Sequence, residues 1–387
     1  MVERQEEKAD HDLLFDRFES IRRTGLALLD GGFATHLEDG LGQDISSSSL
    51  WSASLLDSRE GSKAVIQTHV DFLRAGANVV STSSYQASTL AFHLAGQSAD
   101  KAKELLIKSV QLAQQAREDF CSQSTNSNLE KPLLLLSLGP FGAALSNGAE
   151  YTGNYFIPDS NLDNKAGKAV TLQDLEDFHF TRLETLATSS EWTNIDLIAF
   201  ETIPRLDEAI AIRKALDRIF ATFPRKLSYA SFVFPQGSHL PWPIPRDAAY
   251  IEDMDTLVQQ VVGVDEAGQV SPLMGIGINC TKPKFLAKLV KRLTVALTQA
   301  KTRHKPYLFL YPDGGLVWNG ITRVWTEETG SHSCNLSWPD QVMKAAATSQ
   351  EDGCTWAGCF VGGCCKATTA DIAALRIRLD SASSLSN

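Results

Sequence analysis

Short apolar runs alternate with longer amphipathic stretches along nearly the whole chain. The first run, Leu26 to Leu29, has the length and composition of a buried strand. Residues 64–77 then place Ile66, Val70, Leu73 and Ala77 on one face of a helix. A second strand is predicted from Val79 to Ser84, and a second helix over 101–118. There Leu105, Leu106, Ser109, Leu112, Ala113 and Ala116 line the inner face, and charges occupy the other. The alternation continues with strand runs at 133–138, 196–200, 227–234, 274–279, 307–311 and 358–361, each followed by a helical pattern. Thr171 with Asp174 carries the signature of a helix start. Residues 235–253, rich in proline and aromatics, read as a loop or insertion.

Strand–helix alternation means parallel strands joined by helical crossovers. Eight such units, with no stretch separating two cores, predict the α/β class and a (β/α)8 TIM barrel rather than an open doubly wound sheet. A single barrel domain is expected over 24–380, with a leader helix at 1–23 and a loose serine-rich tail at 381–387. No G-x-G-x-x-G follows the first strand, which argues against dinucleotide binding.

Charge and cysteine content narrow the function. The 387 residues carry 46 acidic and 36 basic side chains, a net charge of −10. No basic run stands out, so nucleic acid is not an expected partner. No apolar stretch has the length to span a bilayer, so no membrane is expected. The charged segment Met1 to Asp16 lacks a signal core, and a cytoplasmic protein is expected. Seven cysteines in such a chain point to thiols or metal rather than a disulfide framework. Cys121, Cys334, Cys354 and Cys359 have no spacing that assigns them a task.

In a barrel of this kind the chemistry sits at the C-terminal ends of the strands. Those ends carry Asp30, Tyr85, Glu201, Cys280, Asp313 and the pair Cys364-Cys365. Three cysteines at strand ends suggest a soft-metal site, zinc above all, with one coordination position open. Taken singly, each cysteine reads as well as a small buried residue. A Cys-Cys dipeptide together with Gly277-Ile278-Asn279-Cys280 favours the metal. Asp30 reads equally as a turn cap, because Asp-Gly-Gly is a common turn string. Glu201 follows the apolar run Leu197 to Phe200, where a carboxylate is costly to bury unpaired, so it reads as functional. Tyr85 could be packing alone, and Asp313 reads as part of a tight turn. His69 and His179 fall on helices and read as surface or satisfied core groups, not metal ligands.

Nine segments carry a family resemblance, in order, over nearly the whole chain. They are LLDGGFATHLE at 28–38, LWSASLL at 50–56, VDFLRAGANVVSTSSYQAS at 70–88, SLGPFGAAL at 137–145 and GAEYTGNY at 148–155. DLIAFETIPRLDEA at 196–209, GIGINCTKP at 275–283, YLFLYPDGG at 307–315 and GCFVGGCC at 358–365 complete the set. The chain resembles the homocysteine S-methyltransferases, zinc-thiolate barrels that use S-methylmethionine, S-adenosylmethionine or betaine. It departs from their pattern in a longer 235–272 region and in Asp313, where asparagine is expected.

The resemblance implies that Cys280, Cys364 and Cys365 bind Zn(2+) as thiolates and that homocysteine supplies the fourth sulfur. It implies that Asp30 and Glu201 hold the α-ammonium of homocysteine. Backbone N–H groups near Gly31, together with Ser81, would take its carboxylate, and Asn279 would support the zinc ligands. Tyr85 would face the methyl donor, with Trp51 and Tyr155 as weaker candidates. A methylsulfonium donor is expected, with betaine as the alternative. Two rivals remain. A metal-dependent hydrolase lacks its His cluster here, and a non-catalytic zinc or thiol-binding barrel would not need Asp30 and Glu201. A cobalamin- and folate-dependent reaction has no room in one barrel.

Overall fold

The computed structural model describes residues 25–125, 130–157, 167–241, 254–319, 324–326, 336–350 and 355–384. The expected leader helix and the end of the expected tail lie outside these residues, as do Cys334, Cys354 and much of the 235–253 stretch. The described chain alternates strand and helix eight times: β1 (Leu26–Leu28), α1 (Arg59–Arg74), β2 (Val79–Ser81), α2 (Ala99–Gln123), β3 (Leu133–Leu138), α3 (Leu172–Ala187), β4 (Leu197–Ile203) and α4 (Leu206–Phe220) form the first half. The second half is β5 (Leu227–Phe232), α5 (Met254–Val262), β6 (Gly275–Asn279), α6 (Pro283–Gln299), β7 (Tyr307–Tyr311), α7 (Trp338–Thr348), β8 (Gly358–Val361) and α8 (Thr369–Ser384).

All ladder pairs of the eight-stranded sheet are parallel, and β1 pairs with β8, in register Leu26 to Cys359. This is the predicted (β/α)8 barrel. No regular ladder joins β1 to β2, and one backbone bond together with side-chain bonds closes that seam instead. Asn78 N–H donates to Leu28 O at 2.7 Å, and Asn78 Oδ1 accepts Leu28 N–H at 3.0 Å. Polar caps start the helices: Thr171 with Asp174 forms the expected start as a full capping box, and Ser58 Oγ accepts Gly61 N–H to open α1 five residues before the expected 64.

Strand periodicity sorts the core into two layers. Leu134, Leu136, Ile198, Ile276 and Leu308 face the helices, while Leu133, Leu135, Leu197, Ala199 and Phe309 fill the barrel. The interior is unusually aromatic, with Tyr229 stacked on Phe309 at 3.6 Å and Phe309 on Phe360 at 4.6 Å. Gly275 and Gly277 make the room. A Cβ at Gly275 would lie 2.6 Å from the Phe309 ring, and one at Gly277 would lie 2.7 Å from Ser231 Cβ. Two antiparallel pairs, Phe156–Ile157 with Lys168–Ala169 and Val317–Asn319 with Val324–Thr326, stand outside the barrel and were not foreseen.

Candidate active site

The C-terminal ends of β1, β7 and β8 meet backbone to backbone. Gly363 N–H donates to Asp30 O at 3.0 Å, Cys364 N–H to Pro312 O at 2.8 Å, and Gly314 N–H to Cys365 O at 2.7 Å. A Cβ at Gly32 would lie 2.5 Å from Cys364 O, and one at Gly362 would lie 2.7 Å from Asp30 O. The glycines of the two turns are therefore required by close approach, and this approach places Cys364 and Cys365 at the barrel mouth. Cys280 follows β6 in a left-handed conformation, φ 45°, and its N–H reaches Tyr311 O at 3.3 Å.

The sulfur atoms of Cys280, Cys364 and Cys365 lie within 4.8 Å of one another. Four tetrahedral bonds of ~2.3 Å to zinc would set sulfurs ~3.8 Å apart, so the cluster fits. No fourth cysteine, histidine or carboxylate joins it among the described residues, which leaves a coordination position for a ligand. Cys280 and Cys364 stand close enough to be joined as a disulfide, because the converging strand ends bring their Cα atoms to 5.6 Å, inside the bridging range. Disulfide and three-thiolate site are alternative states of the same sulfurs. Burial, reinforced by the charge of Asp313, pushes the Cys365 thiol up to about 11, so this sulfur needs a cation to ionise at neutral pH.

Beside the sulfurs stand two carboxylates. Asp30 is buried, and burial raises it to about 6 although it accepts Ser81 N–H at 2.6 Å and Ser81 Oγ–H at 2.8 Å. Both Ser81 donors are spent on Asp30, where they also pin the β1–β2 seam. Gly32 N–H is likewise committed, to Ala367 O at 2.8 Å. Glu201 is raised to about 7, first by burial and then by the charge of Asp30, against hydrogen bonds from Ser137 and Tyr311. It sits at a register shift in β4 between Phe200 and Ile203, and Thr202 beside it has φ 60°. Such an irregularity re-aims a side chain toward the mouth, and a β-branched residue holds a positive φ only when its surroundings force it.

Asn279 supplies that force. It is fully buried, its Oδ1 accepts Thr202 N–H at 2.8 Å and Ser231 Oγ–H at 2.7 Å, and its Nδ2 donates to Thr202 Oγ1 at 2.7 Å. Thr202 Oγ1 points at Cys280 Sγ, 3.9 Å away, and lies near the Tyr85 phenol. Thr202 is thus a junction of the site that the sequence did not reveal. Tyr85 lies edge-on to Trp51, ring centroids 6.4 Å apart. Its phenol is held well above its ordinary range by burial, then by the charges of Glu150, Glu201 and Cys365. Tyr151 lies near Cys365 on the loop after β3.

Tyr155 does not join them. It is buried, and its hydroxyl donates to Glu208 Oε2 at 2.6 Å, away from the mouth. Asp313 does build a turn, accepting Gly315 N–H at 2.8 Å, and its extra charge over asparagine is met by Lys282 at 3.1 Å. His179 is a satisfied core group, 3.0 Å from Glu208. His69 is neither surface nor satisfied: it is fully buried against Phe33, with no hydrogen-bond partner among the described residues. Burial lowers it to about 3 and keeps it neutral.

Three sulfurs, the buried Asp30 and the half-buried Glu201 thus meet at one barrel mouth. The family model described as homocysteine S-methyltransferase matches residues 27–379. The chain belongs to the homocysteine S-methyltransferase family. Among relatives, homocysteine S-methyltransferase 3 of Zea mays is 34% identical over 360 residues, 92% of this chain and 90% of its own. A selenocysteine Se-methyltransferase of Brassica oleracea var. italica is 34% identical over 369 residues, 93% of this chain and 91% of its own. The homocysteine methyltransferase MmuM from Escherichia coli, in its metallated form, superposes with a TM-score of 0.65 at 27% identity, covering 91% of this chain and 96% of that one. Its oxidized form gives 0.66 at 27% identity, over 93% and 100%. The family match thus spans every strand whose end contributes to the site. No helix among the described residues is long and apolar enough to cross a membrane.

Proposed function

We propose that this chain moves a methyl group from a methylsulfonium compound to the thiol of homocysteine, forming methionine, in the cytoplasm and with Zn(2+). The observation that carries the reading is a pair of carboxylates with raised pKa, the buried Asp30 and the half-buried Glu201, beside three convergent sulfurs. An amino acid with an α-ammonium at one end and a thiol at the other meets both. The ammonium would draw Asp30 and Glu201 into their ionised forms. Gly31 N–H, for which no hydrogen bond is recorded among the described residues, would take the carboxylate.

Cys280, Cys364 and Cys365 would hold zinc, which requires the Cys280–Cys364 bond to be reduced. Zinc, when bound, supplies the means to keep an acceptor thiol ionised at neutral pH. Asn279 fixes Thr202, and Thr202 in turn restrains Cys280 and Tyr85. Tyr85 and Trp51 offer aromatic surface to a methylated cation. In the transfer the acceptor sulfur bonds the methyl carbon as the carbon–sulfonium bond breaks, and the electron pair leaves on a neutral thioether. No further co-reactant is needed.

Initial rates with S-methylmethionine, S-adenosylmethionine and betaine, on reduced protein at equal zinc content, test the donor. S-Methylmethionine should be fastest. A preference for betaine over both sulfonium compounds would overturn the donor assignment and leave the homocysteine site standing.

A further inference from the structure

Glu150 has no part in the site just described, yet it is built into its rim. It lies in the 3-10 turn Ala149–Tyr151 of the loop that follows β3. Its Oε2 is buried with no hydrogen-bond partner among the described residues, and its carboxylate takes a bond from its own amide. The charge reaches Tyr85, Tyr151 and Cys365, the aromatic and sulfur face of the mouth. A carboxylate in such a place is costly without a cation.

The loop cannot swing it out to water. Behind it, Glu208 accepts Phe141 N–H and Tyr155 Oη–H, each at 2.6 Å, with His179 at 3.0 Å. Arg205 holds Gly153 O at 3.1 Å and lies over the Tyr155 ring, and Arg182 holds Gly139 O at 2.9 Å. Both ends of the loop are tied into the body of the barrel. The carboxyl group is held in place with its Oε2 left without a partner, and burial raises it to about 7.

We propose that Glu150 is a donor-specificity residue, receiving the α-ammonium of a sulfonium amino acid whose methylsulfonium group lies against Tyr85 and Trp51. This rests on the sulfonium reading above. The ammonium is the better partner than the sulfonium, for a reason of charge. Positive charge on sulfur disappears as the methyl leaves, so a carboxylate against it would favour the ground state over the transition state. The ammonium charge persists throughout, so binding it costs nothing in the chemical step. Asp30 and Glu201, on β1 and β4, remain for the acceptor.

The test compares S-methylmethionine with its deaminated analogue, a dimethylsulfonio carboxylate of the same chain length, each scored by KM or by competitive inhibition. Wild-type protein should bind the amino acid about tenfold or more tightly than the analogue. Glu150→Gln should close that gap by weakening the amino acid alone, with zinc content and the KM for homocysteine unchanged. Glu150→Asp, which keeps the charge, should restore part of it. A gap of the same size in wild type and Glu150→Gln, or a loss confined to homocysteine, would overturn the proposal. Failure of the sulfonium reading shows elsewhere, as no turnover of S-methylmethionine by wild-type protein, and would remove both.

Discussion

The two sides of the barrel mouth are held by different means. On the sulfur side, Asp30, Cys364 and Cys365 sit on turns locked to one another through backbone hydrogen bonds and glycines that admit no Cβ. On the other side, Glu150 and Tyr151 ride a loop that is held from behind by the buried group Glu208, Tyr155, His179 and Arg182. The first arrangement fixes positions through strand ends, which the whole barrel defines. The second fixes them through side chains two layers away. A metal site and an acceptor pocket need the first kind of precision. A rim that selects among donors can be built in the second way, where loop changes leave the barrel intact.

The sharpest way to break the comparison is at sulfur. Cys280→Ser, Cys364→Ser and Cys365→Ser should each lose most of the zinc and nearly all activity, since a hydroxyl is a poor ligand for a soft site. Metal analysis of the reduced variants checks it, and full zinc occupancy in any one would remove that cysteine from the ligand set.

Glu201→Gln comes next. It should weaken homocysteine by roughly 2–5 kcal/mol while leaving zinc in place. Glu201 and Asp30 also set a pH dependence. Both are raised by burial, to about 7 and about 6, so the ligand-free fold binds protons that the unfolded chain releases. Their contribution to stability is full below the ordinary carboxyl pKa and is lost as pH rises from there through about 6 to 7, levelling off above. Ammonium binding runs the other way, because it needs the ionised forms. The KM for homocysteine should therefore rise as pH drops below about 7, and in Glu201→Gln the step near 7 should be gone.

Gly32→Ala sharpens the backbone half of the comparison. Its Cβ would meet Cys364 O at 2.5 Å, so the turns must part, at a cost of about 1–3 kcal/mol. Reduced zinc affinity together with a lower denaturation midpoint is expected, and a normal zinc affinity would show that the sulfurs are not positioned by this turn. The smallest effect belongs to Tyr155→Phe. It removes one buried hydrogen bond to Glu208 and should cost about 1–2 kcal/mol in urea unfolding. Donor KM should change far less than in Tyr85→Phe, because Tyr155 supports the loop and does not touch the mouth.

The same contrast explains what could be read from residues alone. Strand ends are legible, because an apolar run has a length and its last residue has a place. Asp30, Glu201, Cys280, Cys364 and Cys365 were read as strand-end residues that way, and the barrel with them. Tyr155 was misplaced because an aromatic in a loop gives no sign of which way it faces. The attachment of Ser81 to Asp30 was not foreseen, because it joins residues 51 apart in sequence across a seam between strands. Thr202 was missed because nothing in Glu201-Thr202-Ile203 announces a register shift. Glu150 lies in a segment that carried the family resemblance, but only its unpartnered oxygen marks it as more than a surface acid. Asp313 was flagged as a departure, and its reason, Lys282, lies 31 positions earlier on another strand end.

The central claim is methyl transfer between two sulfurs at this mouth, without any other cofactor. Reduced, zinc-loaded protein given homocysteine and S-methylmethionine carrying labelled methyl groups tests it most directly. The account predicts two methionines for each homocysteine consumed, with label appearing in the homocysteine-derived product, and no methionine after the zinc is chelated. Zinc-loaded protein that forms no methionine from S-methylmethionine, S-adenosylmethionine or betaine would contradict it.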